Sequence, residues 1–331
     1  MTVPSGRRGP LRPGSLWLPA AALLLVAAAA LGVMIGPAGA ISSANWNIIW
    51  NVRLPRVALA AVVGAMLSLA GASYQGVFRN PLVDPYLLGS AAGAGLGATI
   101  ALVAGRSRTQ HWIIDPVPLA AFVGALVAVA LTYFVGAAFG ANRSGVTLVL
   151  AGVAVTSLAT AIQTFVLQRN SEVIREVYSW ILGRLSSASW SDVLLVLPYV
   201  VVSSTVLLLH RRHLDLFRVG DDEATVLGTN VRRVRLVVVI AATLGTAAVV
   251  SVSGLIGFVG IVVPHAIRLI VGASYRRLLP LSILVGAAFL ILADIPGRVL
   301  QNPAETPIGV VTAFFGAPFF IILLRSKKSY S

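Results

Sequence analysis

The chain has 331 residues, of which 57% are hydrophobic and 11% charged. Its mean hydropathy is +0.90. Soluble domains carry about 25% charged residues, so a water-soluble globular domain is excluded. There is no cysteine, which also removes a disulfide framework and a thiolate metal site. The net charge of +14 admits nucleic acid or a membrane surface as partner, and the distribution of that charge along the chain decides between them.

Apolar runs long enough to cross hydrocarbon, roughly 17 to 25 residues, fall at 16–35, 55–77, 86–104, 117–139, 146–167, 193–209, 234–253, 255–271, 279–296 and 308–324. Hydrocarbon offers no water to bond the backbone, so each amide must be satisfied inside its own helix. The expected fold is therefore all-α and integral to the membrane, about ten transmembrane helices in one bundle. A single integral membrane domain over 1–331 follows, with 1–15 as a tail. The first run follows Arg7, Arg8 and Arg12 and ends near PAGA (37–40), which imitates a secretory signal with an A-x-A site. Leu16 to Ile35 exceeds the 7–15 residues of a signal core and reads as a span.

With the N-terminus in the cytoplasm, seventeen of the 25 Lys and Arg fall in cytoplasmic segments. Such a bias is the positive-inside pattern, and an even number of crossings puts both termini in the cytoplasm of a cell-membrane protein. The charge orients helices, and nucleic acid is not a partner.

In chain order, NVRLPRVALA (51–60) places Arg53 and Arg56 three apart around Pro55, just before the second span. Proline suits a first helical turn. The two arginines either snorkel to the interface or await an acidic partner outside the membrane. Small residues crowd the spans at 64–73, 89–99 and 123–130, as close helix contacts require. The polar interval HRRHLDLFRVGDDEATVLGTNVRRVR (210–235) holds a short helix: Gly220 and Asp221 start it, Asp221, Asp222 and Glu223 meet the positive end of its dipole, and Gly228 ends it. Ala224 and Leu227 share one face. A docking site for a cytoplasmic partner is preferred there over a merely basic loop. In LADIPGRVLQNPAETPIGV (292–310), Asp294 and Arg298 are spaced for an intrahelical pair, with Pro296 expected to distort it.

No G-x-x-x-x-G-K-[ST] cradle is present, so ATP energy requires a separate subunit. No G-x-S-x-G or H-E-x-x-H occurs. His111, His210, His213 and His265 lack metal-site spacing. The eleven acids lie mostly at span ends or in loops, which argues against an ion-coupled secondary transporter, since such carriers place ionisable groups mid-span.

The stretches RLPR (53–56), GASYQGVFRNPLVDPYLLG (71–89), ILGRLSSASW (181–190), GDDEATVLG (220–228), GLIGFVGIVVPHAIRLIVG (254–272), RRLLPLSILVGA (276–287), LADIPGR (292–298) and PAETPIGVVTAFFGAPFFIILL (303–324) strongly resemble FecCD-type permeases. These are membrane subunits of type II ABC importers for ferric siderophores, haem and vitamin B12. The resemblance implies ten helices and a second permease subunit, as a homodimer. It also implies two cytoplasmic ATPases that bind ATP and Mg, and an extracytoplasmic substrate-binding protein; this chain itself holds no cofactor and is not an enzyme. It assigns ATPase coupling to Gly220, Asp221, Glu223, Ala224, Leu227 and Gly228. Docking of the binding protein falls to Arg53, Arg56 and Arg298. An inner gate falls at the start of the fifth span, at Ser144, Gly145, Val146 and Thr147. The cargo implied is a ferric siderophore or haem, with cobalamin as the alternative. In the 254–272 segment the resemblance implies a turn at Gly254–Gly260 and a helix containing Pro264 and His265, with His265 a packing group in preference to an iron ligand.

Overall fold

The computed structural model describes residues 16–36, 46–106, 115–138, 145–300 and 304–327. Ten apolar helices account for most of them: α1 Trp17–Met34, α2 Leu54–Val77, α3 Ser90–Arg106, α4 Pro116–Ala138, α5 Gly145–Arg169, α6 Trp190–Leu209, α7 Val231–Ser253, α8 Val259–Val271, α9 Tyr275–Val299 and α10 Ile308–Lys327. They coincide with the ten expected spans. Seven of the apolar helical stretches are long enough to cross a membrane alone, whereas α3, α8 and α10 contribute shorter apolar segments. No strand occurs among the described residues.

Burial ranks the helices. Within their most apolar windows, α2 and α7 are 78% buried and α9 is 61% buried, against 17% for α1, so α2, α7 and α9 form the centre. Contact between α2 and α9 depends on glycine: a methyl group at Gly64 would run into the Gly286 carbonyl oxygen, and one at Gly286 would meet Gly64 in return. The small-residue clusters of the sequence thus act as backbone-to-backbone contacts.

The second span begins earlier than its hydropathy suggests. The chain is already helical at Trp46, passes through a π-helical turn at Ile49–Arg53 and continues into α2. Leu54 N–H reaches back to Ile49 O, and this five-residue pairing takes up the register disturbed by Pro55, which has no N–H of its own. Pro55 therefore lies inside a continuous helix, not at a fresh start. The start of α6 also moves upstream, to Trp190. Ser189 and Asp192 form a reciprocal capping box there, an S-x-x-D signal present in the sequence.

At 1.5 Å per residue, the 13 residues of α8 rise only about 20 Å, less than a hydrocarbon core of about 30 Å. Irregular backbone makes up the difference and needs protein partners. Tyr86 OH donates to Ile256 O at 3.1 Å and accepts from Ile256 N at 3.2 Å. Gln75 Nε2 donates to Val83 O and Gly260 O at 3.2 and 2.9 Å. Two side chains from the 71–89 stretch thus satisfy the α7–α8 connection. As expected, the chain turns after α7, at Gly254 with φ +70°, and Pro264 lies within α8. The His265 ring meets Phe319 edge-on at 5.8 Å.

Candidate functional site

Two polar constellations occupy opposite ends of α2. At its C-terminal end stands the 220–228 element, built as a helix over Asp221–Val226. Gly220 has φ +135°, a conformation that residues with a Cβ rarely adopt, so glycine is required. The helix stops in a Schellman turn: Thr229 N–H reaches Ala224 O at 3.0 Å, Gly228 N–H reaches Thr225 O at 2.9 Å, and Gly228 adopts φ +84°.

The element has an anchored side and a bare side. Ala224 is fully buried. Asp221 accepts from Arg235 Nη2 at 2.8 Å, on the first turns of α7, and lies 3.7 Å from Arg79 just past α2. Glu223 is exposed. Val226 and Leu227 are 88% and 61% exposed, an apolar pair on a charged end of the molecule. The six residues singled out in the sequence are thus brought together on one element, tied by Asp221 to two central helices, but Ala224 and Leu227 do not share a face as expected, because the helix ends at Val226 and Leu227 turns outward while Ala224 is buried.

A neighbouring helix, Arg211–Phe217, was not separated from the polar interval by sequence reasoning. Its Leu214 and Phe217 are buried, and Asp215 accepts from Tyr275 N at 2.7 Å and Ser274 Oγ at 3.0 Å, capping the start of α9. Leu214 and Phe217 at i, i+3 are the only local signal, and two hydrophobic residues among charges are weak evidence for a helix.

At the other end of α2 lie Arg53, Arg56 and Arg298, and all three are buried, at 7%, 6% and 1% exposure. Arg56 makes a two-pronged contact with Asp294, Nε to Oδ2 and Nη2 to Oδ1, both 2.8 Å. Its Nη1 reaches both Glu305 oxygens at 3.0 and 2.8 Å. Arg298 Nε donates to Asp294 Oδ2 at 2.7 Å, so the i, i+4 pair forms and Pro296 does not distort it. Arg298 Nη1 also donates to Gly32 O and Ile35 O at 2.7 and 3.3 Å, while Arg53 Nη1 donates to Val33 O and Met34 O at 3.0 and 3.1 Å. The last carbonyls of a helix lack intrahelical donors; here two guanidiniums from α9 and the π-helical turn supply them for α1. Glu305, on the short connection before α10, was not singled out in the sequence, because PAETP shows no periodic cue.

Of the expected gate, Ser144 lies outside the described residues. Gly145, Val146 and Thr147 open α5. Further along that helix Ser157, Thr160 and Thr164 are exposed at i, i+3 and i+7, and Thr164 Oγ1 donates to Thr160 O at 2.9 Å. On its other face Gln163 is buried and donates to Thr99 Oγ1 at 2.9 Å. Among the described residues no group of three or more His, Cys, Asp or Glu is placed to hold a metal ion.

A model of the FecCD transport family matches residues 17–326. The chain belongs to this family. It is 42% identical over 281 residues to the cobalamin import system permease protein BtuC of Halobacterium salinarum, covering 85% of this chain and 74% of that protein. It is 38% identical over 294 residues to the hemin transport system permease protein HmuU of Yersinia pestis, with 88% and 87% covered. Against the ferric enterobactin permease FepD of Escherichia coli the identity is 36% over 323 residues, covering 94% and 95%. A solved metal-chelate type ABC transporter in an inward-facing conformation superposes with a TM-score of 0.85 at 30% identity, over 94% of this chain and 99% of that one. The protein is accordingly a multi-pass membrane permease of the ABC importer class.

Proposed function

We propose that this chain imports a bulky metal chelate, a ferric siderophore or haem, by alternating access powered by separate ATPase subunits. The observation that carries the reading is the 220–228 element: a short helix with Val226 and Leu227 bare on one side and Asp221 clamped to α7 by Arg235 on the other. Such a part transmits motion from a partner into the central helices. Two cytoplasmic ATPases grip it, binding the ATP and Mg, and the permease does no covalent chemistry. Both termini then lie in the cytoplasm of a cell-membrane protein. A second copy of the chain completes the path, and α5, with Ser157, Thr160 and Thr164 exposed along it, is the helix that faces it. The start of α5, Ser144 to Thr147, is the inner gate.

Arg53, Arg56 and Arg298 form the docking end for an extracytoplasmic binding protein. Arg56 and Arg298 are set by Asp294 and Glu305 and Arg53 by the end of α1, and charge at such an end steers an acidic partner more than it adds affinity. Cobalamin is the second reading of the cargo, favoured by the identity to the Halobacterium salinarum permease. Reconstituted with its ATPase, the Leu227→Ala or Glu223→Lys variant is expected to retain ATP hydrolysis while cargo uptake falls at least tenfold. Wild-type uptake in both variants would refute the coupling role.

A further inference from the structure

Beside the 220–228 element, the ends of α2, α8 and α9 enclose a cavity of about 230 Å³ lined by Gln75, Arg79, Pro81, Arg218, Arg268 and Tyr275. Three guanidiniums converge on it. Arg79 lies 3.7 Å from Asp221, a carboxylate already engaged by Arg235 at 2.8 Å. Arg218 stands 4.0 Å from Asp215, whose oxygens already accept from Tyr275 N and Ser274 Oγ. Arg268 makes no ion pair with any described residue. Its Nη1 is buried without a hydrogen-bond acceptor, and its guanidinium carbon is 6.0 Å from the Tyr275 ring centre. Arg235 and Arg276 share the same two carboxylates, so the wall keeps an excess of positive charge.

Gln75 adds the opposite demand. It is 2% exposed, and its amide is fixed because Nε2 donates to Val83 O and Gly260 O. Oε1 is left buried with no donor. Burying an unmade hydrogen bond costs free energy; the partly exposed Arg268 guanidinium offers its charge to an anion in this space, and an anion that also carries a donor suits a wall holding the unpaired Gln75 oxygen. A phosphate group bearing a hydroxyl or an ammonium substituent fits, and guanidinium is the side chain best matched to it. The space is below the 300–1,000 Å³ of small-molecule pockets, too small for a metal chelate. On α8, Leu269 and Ile270, next to Arg268, are 74% and 59% exposed, which gives an acyl chain an apolar flank.

We infer that this cavity is a phosphate site, filled by a phospholipid headgroup or by free phosphate, that joins the ends of α2, α8 and α9 next to the coupling element. The full chain, purified in neutral detergent, is offered phosphatidylglycerol, phosphatidylethanolamine or phosphatidylcholine and examined by native mass spectrometry. Inorganic phosphate is offered in parallel by equilibrium dialysis. Retention of phosphatidylglycerol or phosphatidylethanolamine, at least tenfold weaker for phosphatidylcholine and for the Arg268→Gln and Arg218→Gln variants, supports the site with lipid as its source; tenfold is the scale of one charge-assisted hydrogen bond. Binding of inorganic phosphate with the same dependence on the variants, and no lipid retained, supports the site with a soluble source. Arg218 is half exposed, so its variant keeps the test valid even if Arg268→Gln fails to fold. No probe bound, equal retention of phosphatidylcholine, or binding unchanged in the folded variants would overturn the inference.

Discussion

Asp294 holds together a group of charges that hydrocarbon would otherwise expel. It is 2% exposed and accepts from both Arg56 and Arg298, and removing one member of a buried pair leaves the other uncompensated, at a cost of about 3–5 kcal/mol. Asp294→Ala is expected to lose stability on that scale in detergent unfolding, whereas Asp294→Asn, which retains one acceptor oxygen, loses less. An unchanged unfolding midpoint for Asp294→Ala would show that the arginines need no internal counter-charge. Asp84, in the connection after α2, makes a second residue-scale case. Burial pushes its carboxyl from 3.8 up to about 6, against the opposing Tyr86 N–H bond. The folded chain holds the proton more tightly than the unfolded chain, so stability falls as pH rises between those two values and levels off above about 6. The Asp84→Asn variant should lack this decline; an identical pH profile for both proteins would contradict it. At this scale the sequence was partly legible. The Asp294–Arg298 spacing announced its pair, yet the same arginine's bonds to Gly32 and Ile35 span more than 260 residues. No local pattern encodes that.

Among the elements, hydropathy marked all ten spans because lipid imposes a long apolar run on each of them. Starts were less legible. The π-helical turn at Ile49–Arg53 depends on where Leu54 N–H finds its acceptor, and the Ser189–Asp192 box carries α6 beyond its apolar run. The 220–228 element was readable because its glycines and acids are local signals, while helix Arg211–Phe217 takes its stability from burying Leu214 and Phe217 against the bundle. The α2–α9 crossing offers a test. Gly286→Leu would force side-chain atoms into the Gly64 backbone and should cost on the order of 1–3 kcal/mol or more, as overpacking does. Chemical denaturation in detergent reads this directly, and a stability within error of wild type would show that the two helices can part without loss.

For the whole molecule, the sequence conveyed class, span number and family, because hydropathy, charge bias and the quoted motifs are distributed along the entire chain. It conveyed less about assembly: the exposure of Ser157, Thr160 and Thr164 on α5 and of the pair Val226 and Leu227 is visible only in three dimensions. The most direct test of the central claim is uptake of a ferric siderophore or haem into liposomes containing this chain, with or without its ATPase and the extracytoplasmic binding protein. The account predicts accumulation only with all components and ATP, lost at least tenfold in Leu227→Ala. Accumulation by the chain alone, driven by an ion gradient or by nothing but the cargo's own concentration difference, would contradict it.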